Sequence, residues 1–563
     1  MPETTPNFRE MNIADPILSE VEAKTQAIVT ALKNAASVDE QVAVIREWEA
    51  YRRDEETWGA IVSLHFHQDT RDEAAKARRE KMDAMAPRLE NFSVQVKKTL
   101  LELPNRHELE AKIGSQCFAL WEAATRVFDE SIEADLAEEA RLGAAYTELR
   151  SGLKIPFQGE THNLSSLARF SSDPDRDVRY QASRARWEAF EANSEAFDDI
   201  YDQLVKVRTR IAHKLGYPSF VELAYDRMKR TDYTRDDVEV FRKEVQELVV
   251  PLSVQLREQQ RARLGLDKLM SWDEALVDLS GNPKPGGGVD WMVDRAREMY
   301  DEMHPELGRF FRLLDAKGLL DLDLRPAKAG GGFCTGFPRW GVPFVFANFN
   351  GTKHDVTVLT HEMGHAFQFY ASQQQPLLDY VWPTLEACEI HSMSLEFLTW
   401  PWMDRFFGDD ADRFRQNHLT EALTFLPYGV AVDHFQHLVY ANPDATPAER
   451  HAMWQEMERL YLPDRDYGDL PYVTKGGLWQ QQLHIYEVPF YYIDYALAQS
   501  VALQFWDASR RDAAETLDRY VALCARGGSL PFNELTRSSG MRSPFEPGCL
   551  REVVKSAAEA LHV

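Results

Sequence analysis

The stretch Val358-Leu-Thr-His361-Glu362-Met-Gly-His365-Ala-Phe-Gln-Phe-Tyr370 sets two histidines four residues apart, with a glutamate directly after the first. On an α-helix, positions i and i+4 share a face, so both imidazoles can point at one metal ion. The glutamate then lies beside the ion, where it can take a proton from water. The flanking Val358, Leu359, Ala366, Phe367 and Phe369 predict a largely buried helix, and buried histidines need partners. Glycine inside a helix costs about 1 kcal/mol relative to alanine. Gly364 therefore implies a compensating close approach of backbone. The pattern points to metal-assisted hydrolysis, with peptide bonds as the expected target.

Beyond the motif, the chain turns at Ser372-Gln-Gln-Gln-Pro376. Pro383 then starts a second helix, Thr384-Leu-Glu-Ala-Cys-Glu-Ile-His-Ser-Met-Ser-Leu-Glu-Phe-Leu398, predicted to return antiparallel. A catalytic zinc site takes three protein ligands and leaves a position for water, so the third ligand is sought here. Glu386, Glu389 and Glu396 share a face of this helix. One could ligate and another could orient a histidine from behind. Spacing alone leaves Glu386 and Glu389 both open. His391 lies about 200° around the helix from Glu389 and is turned away from it.

Upstream, Ala329-Gly-Gly-Gly-Phe-Cys-Thr-Gly-Phe-Pro338 is glycine-rich, and Gly332 and Phe333 within it are candidate substrate-binding residues. Val342-Pro-Phe-Val-Phe-Ala-Asn-Phe-Asn-Gly351 follows, with β-branched and aromatic residues near period two. This is the one convincing β element of the chain. A strand leading straight into the motif helix could offer its edge to an extended peptide. His354, just ahead of the motif, is a further candidate for the cleft lining.

Elsewhere the pattern is helical. Amphipathic spacing predicts helices over 20–52, 72–102, 137–150, 176–216, 234–265, 384–400, 412–440, 446–461, 484–507 and 512–526. Breaks are expected at Pro16, Pro87, Pro104, Pro156, Pro174 and Pro218. Pro285-Gly-Gly-Gly288 reads as a loop, and Arg526-Gly-Gly-Ser529 as a loop or a helix C-cap.

The 563 residues exceed what one core usually holds. With 44% hydrophobic residues, 13 Trp and 30 Phe, the chain predicts large packed cores rather than disorder. The net charge of −26 disfavours nucleic acid and anionic membrane, which need a basic footprint. No apolar run approaches the roughly 18 residues of a membrane span, and the N-terminus shows no secretory signal. Five widely spaced cysteines without a Cys-x-x-Cys predict reduced thiols and a cytoplasmic location. Cys388 merits attention only because it adjoins Glu389.

His361-Glu-Met-Gly-His365 together with Glu389-Ile-His-Ser-Met-Ser-Leu-Glu396 resembles the thimet oligopeptidase family of zinc metallopeptidases, and most closely its oligoendopeptidase F branch. The resemblance implies that Glu389, the first glutamate of a Glu-x-x-Ser segment, is the third zinc ligand beside His361 and His365, with Glu362 as the catalytic base. Asp355-Val-Thr-Val-Leu-Thr-His-Glu, Arg210-Ile-Ala-His-Lys-Leu-Gly-Tyr-Pro-Ser-Phe and Tyr225-Asp-Arg-Met-Lys-Arg230 are similar to further family segments. Leu483-His484-Ile-Tyr-Glu-Val-Pro-Phe-Tyr-Tyr492-Ile-Asp-Tyr495-Ala looks like its substrate-contacting stretch, without the glycine-rich loop of the larger members. Tyr492 and Tyr495 are thereby expected to donate to the developing oxyanion, and His484 to bind the peptide carbonyl or stabilise the same charge; one such donor typically contributes roughly 10²–10³ in rate. Aromatic core packing is the ordinary alternative for tyrosines at this spacing.

The resemblance runs from about residue 140 to the C-terminus. It implies a mainly α, two-lobed helical body with a deep substrate channel, a small β-sheet beside the metal helix, and one Zn²⁺ per chain. Residues 1–140 would form part of the channel wall and 141–563 the catalytic region. Such a channel admits short unfolded peptides. A carboxypeptidase or dipeptidyl carboxypeptidase with the same metal site is the nearest rival, and a peptide-binding scaffold the rival without catalysis. His434-Phe-Gln-His437 has ligand-like spacing but no adjoining carboxylate cluster. His65 and His67 read as satisfied core or surface residues. Arg339 and Arg537 could meet a peptide carboxylate, though nothing in the sequence singles them out.

Overall fold

The computed structural model describes residues 5–563, and within them the fold is mainly α. Three long helices, Leu18–Asn34, Val38–Gln68 and Glu73–Leu101, open the chain. Ser37 and Asp72 cap the second and third by accepting backbone N–H groups. The break expected at Pro87 is absent, since this proline lies inside the third helix. It sits on the exposed face, so the carbonyl it frees, that of Asp83, is left to water. The expected helix over 20–52 is two helices, and the one over 484–507 is likewise two, Leu483–Glu487 and Tyr492–Ser509. Residues 140 and 141 lie within one helix, Glu133–Ser151, so the boundary expected there meets no break in the chain.

The β content exceeds the single element expected. Strands β1 (Ile155–Phe157) and β2 (Glu160–His162) form a separate hairpin. Strands β3 (Leu320–Asp323), β4 (Phe333–Phe337) and β5 (Val342–Phe349) form a sheet in the order β3-β5-β4. β5 runs parallel to β3 and antiparallel to β4. It is buried along nearly its whole length, as suits a central strand. The strand leading into the motif helix is thus flanked on both sides, by β4 over Val342–Phe346 and by β3 from Val345 to Phe349. The free edge on that side belongs to β4.

β5 passes into the motif helix, Lys353–Ala371, through a short turn. Asp355 is buried there and accepts the backbone N–H groups of Asn350 and Gly351, the latter at 2.6 Å. The strand end and the helix start are thereby joined. The helix returns as Leu385–Leu398. Gly364 sits where the two cross: a Cβ there would stand 2.5 Å from the Cα of Ser392 and 2.6 Å from the carbonyl oxygen of His391. The close approach implied by the glycine is thus backbone to backbone between these two helices. Gly527 (φ +52°) and Gly528 end the helix Ala513–Arg526 and dock on the turn between them, with Gly528 N donating to Tyr380 O at 2.8 Å. Helices Ala411–Ala441 and Tyr492–Ser509 pack beside the return helix in the same core. Early helices contribute to two smaller clusters, one around Trp48, Leu100 and Trp121 that also takes in Leu377 and Tyr380 from the turn after the motif helix, the other around Trp58, Leu89 and Phe92.

Candidate metal centre

The motif helix turns His361 and His365 toward the return helix, where Glu389 meets both. Oε2 of Glu389 lies 3.4 Å from Nε2 of His361 and 3.6 Å from Nε2 of His365. Ligands at 2.0–2.1 Å around a tetrahedral ion stand about 3.4 Å from one another, so this set fits zinc. Among the described residues it is the one His/Cys/Asp/Glu group so gathered. Burial alone would raise the Glu389 carboxyl, but His365 and His361 outweigh it and hold the group far below the usual carboxylate range.

Partners behind the set fix which nitrogen would face an ion. Trp400 Nε1 donates to His418 Nδ1 at 3.0 Å, and an indole N–H can only donate. His418 therefore carries its proton on Nε2 and gives it to Oε2 of Glu396 at 2.8 Å. The other oxygen of Glu396 takes the Nδ1 proton of His361 at 2.7 Å, which leaves His361 Nε2 with a free lone pair. Burial pushes the Glu396 carboxyl up, but these two histidines bring it down to about 2. Glu389 is similarly oriented, by Ser392 Oγ at 3.1 Å and Tyr491 Oη at 3.3 Å. Glu386, the alternative on spacing, points elsewhere: it is buried near Arg230 and Asp494.

Glu362 is buried beside the donor set, and its Oε2 has no hydrogen-bond partner. Burial raises its pKa against the pull of His361 and His365, which suits a group that accepts a proton and later returns it. Gly332 lies directly over it: a Cβ there would be 3.7 Å from Oε1 of Glu362 and 3.3 Å from Val358. Phe333 begins the edge strand β4 and stacks on Phe346 at 4.8 Å. His354 is exposed on the first turn of the motif helix, seven residues before His361.

His484 sits on the short helix Leu483–Glu487, and Pro489 and Phe490 (φ 68°) separate it from the tyrosines. The chain folds back there, so its ring lies 5.7, 4.9 and 5.9 Å from those of Tyr491, Tyr492 and Tyr495. Burial, with help from Arg150, lowers its pKa to about 4, so it is neutral near pH 7. Gln482 Nε2 donates to its Nδ1 at 2.7 Å, and Tyr428 donates to the Oε1 of the same amide at 2.9 Å. The Nε2–H of His484 is thereby kept as a donor. Tyr495 feels the charges of Glu389 and Glu362, whereas Tyr492 turns toward Phe425 and Tyr428, each at 5.8 Å.

His391 is fully buried, with Nδ1 2.7 Å from Ala387 O, and takes no part in the set. Cys388 gives its thiol to Pro383 O, and burial drives its pKa far up, so it offers no thiolate. His434 bonds the Tyr461 hydroxyl, and His437 lies 3.5 Å from Asp433. His67 bonds Ser63 O. Tyr491 as a partner of Glu389, and His418 with Trp400 behind Glu396, carry no signal in local spacing.

A mainly helical body with one such donor set and a base beside it defines a metallopeptidase of the His-Glu-x-x-His kind. The chain belongs to peptidase family M3: the N-terminal domain of peptidase M3 matches residues 8–128, and peptidase family M3 itself matches 169–280 and 295–554. That family is generally zinc-dependent. No curated protein matches the chain. Among solved structures, PZ peptidase A with an inhibitor is 46% identical, with 99% of each chain covered and a TM-score of 0.92. A provisionally assigned oligoendopeptidase F is 45% identical over 99% of each chain, also at 0.92. Another, from Bacillus anthracis str. Ames, is 41% identical over 100% of this chain and 99% of its own, at 0.88.

Proposed function

We propose that this chain is an oligoendopeptidase, a zinc enzyme that hydrolyses internal bonds of short unfolded peptides. The observation that carries the reading is the placement of Glu389 Oε2 at 3.4 and 3.6 Å from the two histidine Nε2 atoms, with the unpartnered Glu362 carboxylate alongside. His361, His365 and Glu389 would hold the ion. When bound, zinc supplies Lewis acidity and lowers the pKa of its water toward about 7. Glu362 takes the proton of the attacking water and delivers it to the departing amine nitrogen. Tyr495 donates to the developing oxyanion from beside the ligand set. Tyr491 holds Glu389, while His484 and Tyr492 meet the carbonyl further along the peptide.

The substrate strand is assigned to the edge of β4 rather than to β5, with Gly332 letting a peptide backbone pass over Glu362. Phe333 and His354 line the approach, and the N-terminal region supplies a wall of the channel. A cytoplasmic site of action is supported by five free cysteines, and no helix is long and apolar enough to cross a membrane. The test is a library of terminally blocked, quenched-fluorescent peptides with mass-spectrometric mapping of the cuts. Cleavage that a chelator abolishes and zinc restores supports the reading. Blocked peptides left intact while free ones are trimmed would make the enzyme a carboxypeptidase.

A further inference from the structure

Arg339 and Arg537 are already paired, with Asp54 at 2.8 Å and Glu546 at 2.9 Å. Two other arginines are not. Among the described residues neither Arg150 nor Arg186 forms an ion pair. Their side-chain hydrogen bonds go to neutral Gln481: Arg150 Nε to its carbonyl oxygen at 3.2 Å, and Arg186 Nη2 to its Oε1 at 2.5 Å. Nε of Arg186 is buried without any partner. Both arginines line one cavity with Tyr428, Arg465, Gln482 and His484, and no Asp or Glu lines it. Arg465 is compensated by Glu274 at 2.8 Å.

Two neighbouring cations without a carboxylate partner stand out in a chain with 90 acidic and 64 basic residues; besides Gln481, Arg186 has only the Trp187 ring, 4.9 Å below its guanidinium. Burial, then the neighbouring Arg150, lowers Arg186 to about 10, so the two guanidiniums disfavour one another as they stand. An anion between them relieves both the repulsion and the missing hydrogen bonds. His484 joins this cavity to the tyrosines, and Tyr491 joins the tyrosines to Glu389. A peptide lying along the cleft can thus reach the arginines with one end while another bond lies at the donor set.

We propose that Arg150 and Arg186 form a subsite that binds a carboxylate of the peptide substrate, either its free C-terminus or an acidic side chain beside it. This rests on the peptidase reading above and adds what sets the position of the cut. The planar forks of two guanidiniums offer paired N–H donors that suit a carboxylate and reject an amide.

The test uses the full chain and three forms of one short neutral peptide: free acid, C-terminal amide, and amide with an aspartate at the last position. The wild-type enzyme is expected to favour a carboxylate-bearing form over the neutral amide by roughly 10- to 100-fold in kcat/KM, mostly through KM. Which form gains identifies the terminus or the side chain as the source. Arg150→Gln and Arg186→Gln should bring that ratio toward one, and Arg150→Lys should retain part of it. A ratio near one in the wild type, or a ratio unchanged in the variants, overturns the subsite. A purely structural role through Gln481 and His484 gives the second result, because all three peptides then slow together. Failure of the endopeptidase reading looks different: the wild type would trim the free acid from its end and leave both amides uncut.

Discussion

Oε1 of Glu396 lies 2.7 Å from Nδ1 of His361, so a carboxylate outside the donor set decides which nitrogen of the imidazole keeps its lone pair free. Glu396→Gln substitutes a neutral amide for that acceptor and leaves His418 without a charged partner. Metal affinity is expected to fall roughly 10- to 100-fold, the usual scale for such supporting groups. Zinc titration against a competing chelator reads this directly, and unchanged affinity would remove Glu396 from the scheme.

Glu362→Gln keeps the shape beside the donor set but cannot accept a proton. Zinc content and peptide binding should match the wild type while kcat drops by at least about 10², the scale of lost general acid–base catalysis. Metal analysis and single-turnover cleavage give the two readouts. A fully active variant would contradict the role of this residue.

Glu389→Gln and Glu386→Gln separate the two glutamates that spacing leaves equivalent. The first should lose zinc, and the second should retain it. Glu386 carries its own signature, since burial, then Asp494, raises its pKa to about 8 against the pull of Arg230. A carboxyl raised on folding binds its proton more tightly in the native state. Its contribution is therefore full below about pH 4.5 and is lost as pH rises toward about 8. Thermal melts between pH 5 and 8 should show stability falling with pH, and Glu386→Gln should flatten that slope.

Gly364→Ala tests the crossing of the two helices. Alanine is the better helix former by about 1 kcal/mol, so an isolated helix would gain. Here the new methyl meets backbone at 2.5 and 2.6 Å, and overpacking of this kind typically costs 1–3 kcal/mol. The melting temperature should fall and zinc should bind more weakly. A more stable variant would mean that the helices part without loss.

The part of this site readable from sequence is the part built on one or two helices. Four-residue spacing places His361 and His365, and the return helix brings candidates for the third ligand, though only resemblance to a family separates Glu389 from Glu386. What escaped depends on contacts between distant segments. β3 is a four-residue Leu-Asp alternation, too short to distinguish from a loop, so the sheet order and the interior place of β5 were not legible. His418 follows Glu396 by 22 residues with no pattern between them. Arg150 and Arg186 become distinctive only once the structure shows which arginines lack carboxylate partners. The helix runs through Pro87 because that residue lies on an exposed face, which periodicity does not reveal.

The contact at Gly364 also bears on motion. Side chains can yield to one another by changing rotamer, but two main chains touching face to face cannot. The helices carrying His361, His365 and Glu389 are thus a single stiff part, and the tyrosine helix shares its core. The core around Trp48 takes in Leu377 and Tyr380 from the turn between those two helices, and Arg52 meets Asp379 there at 2.6 Å, so the N-terminal helices are tied to the same part.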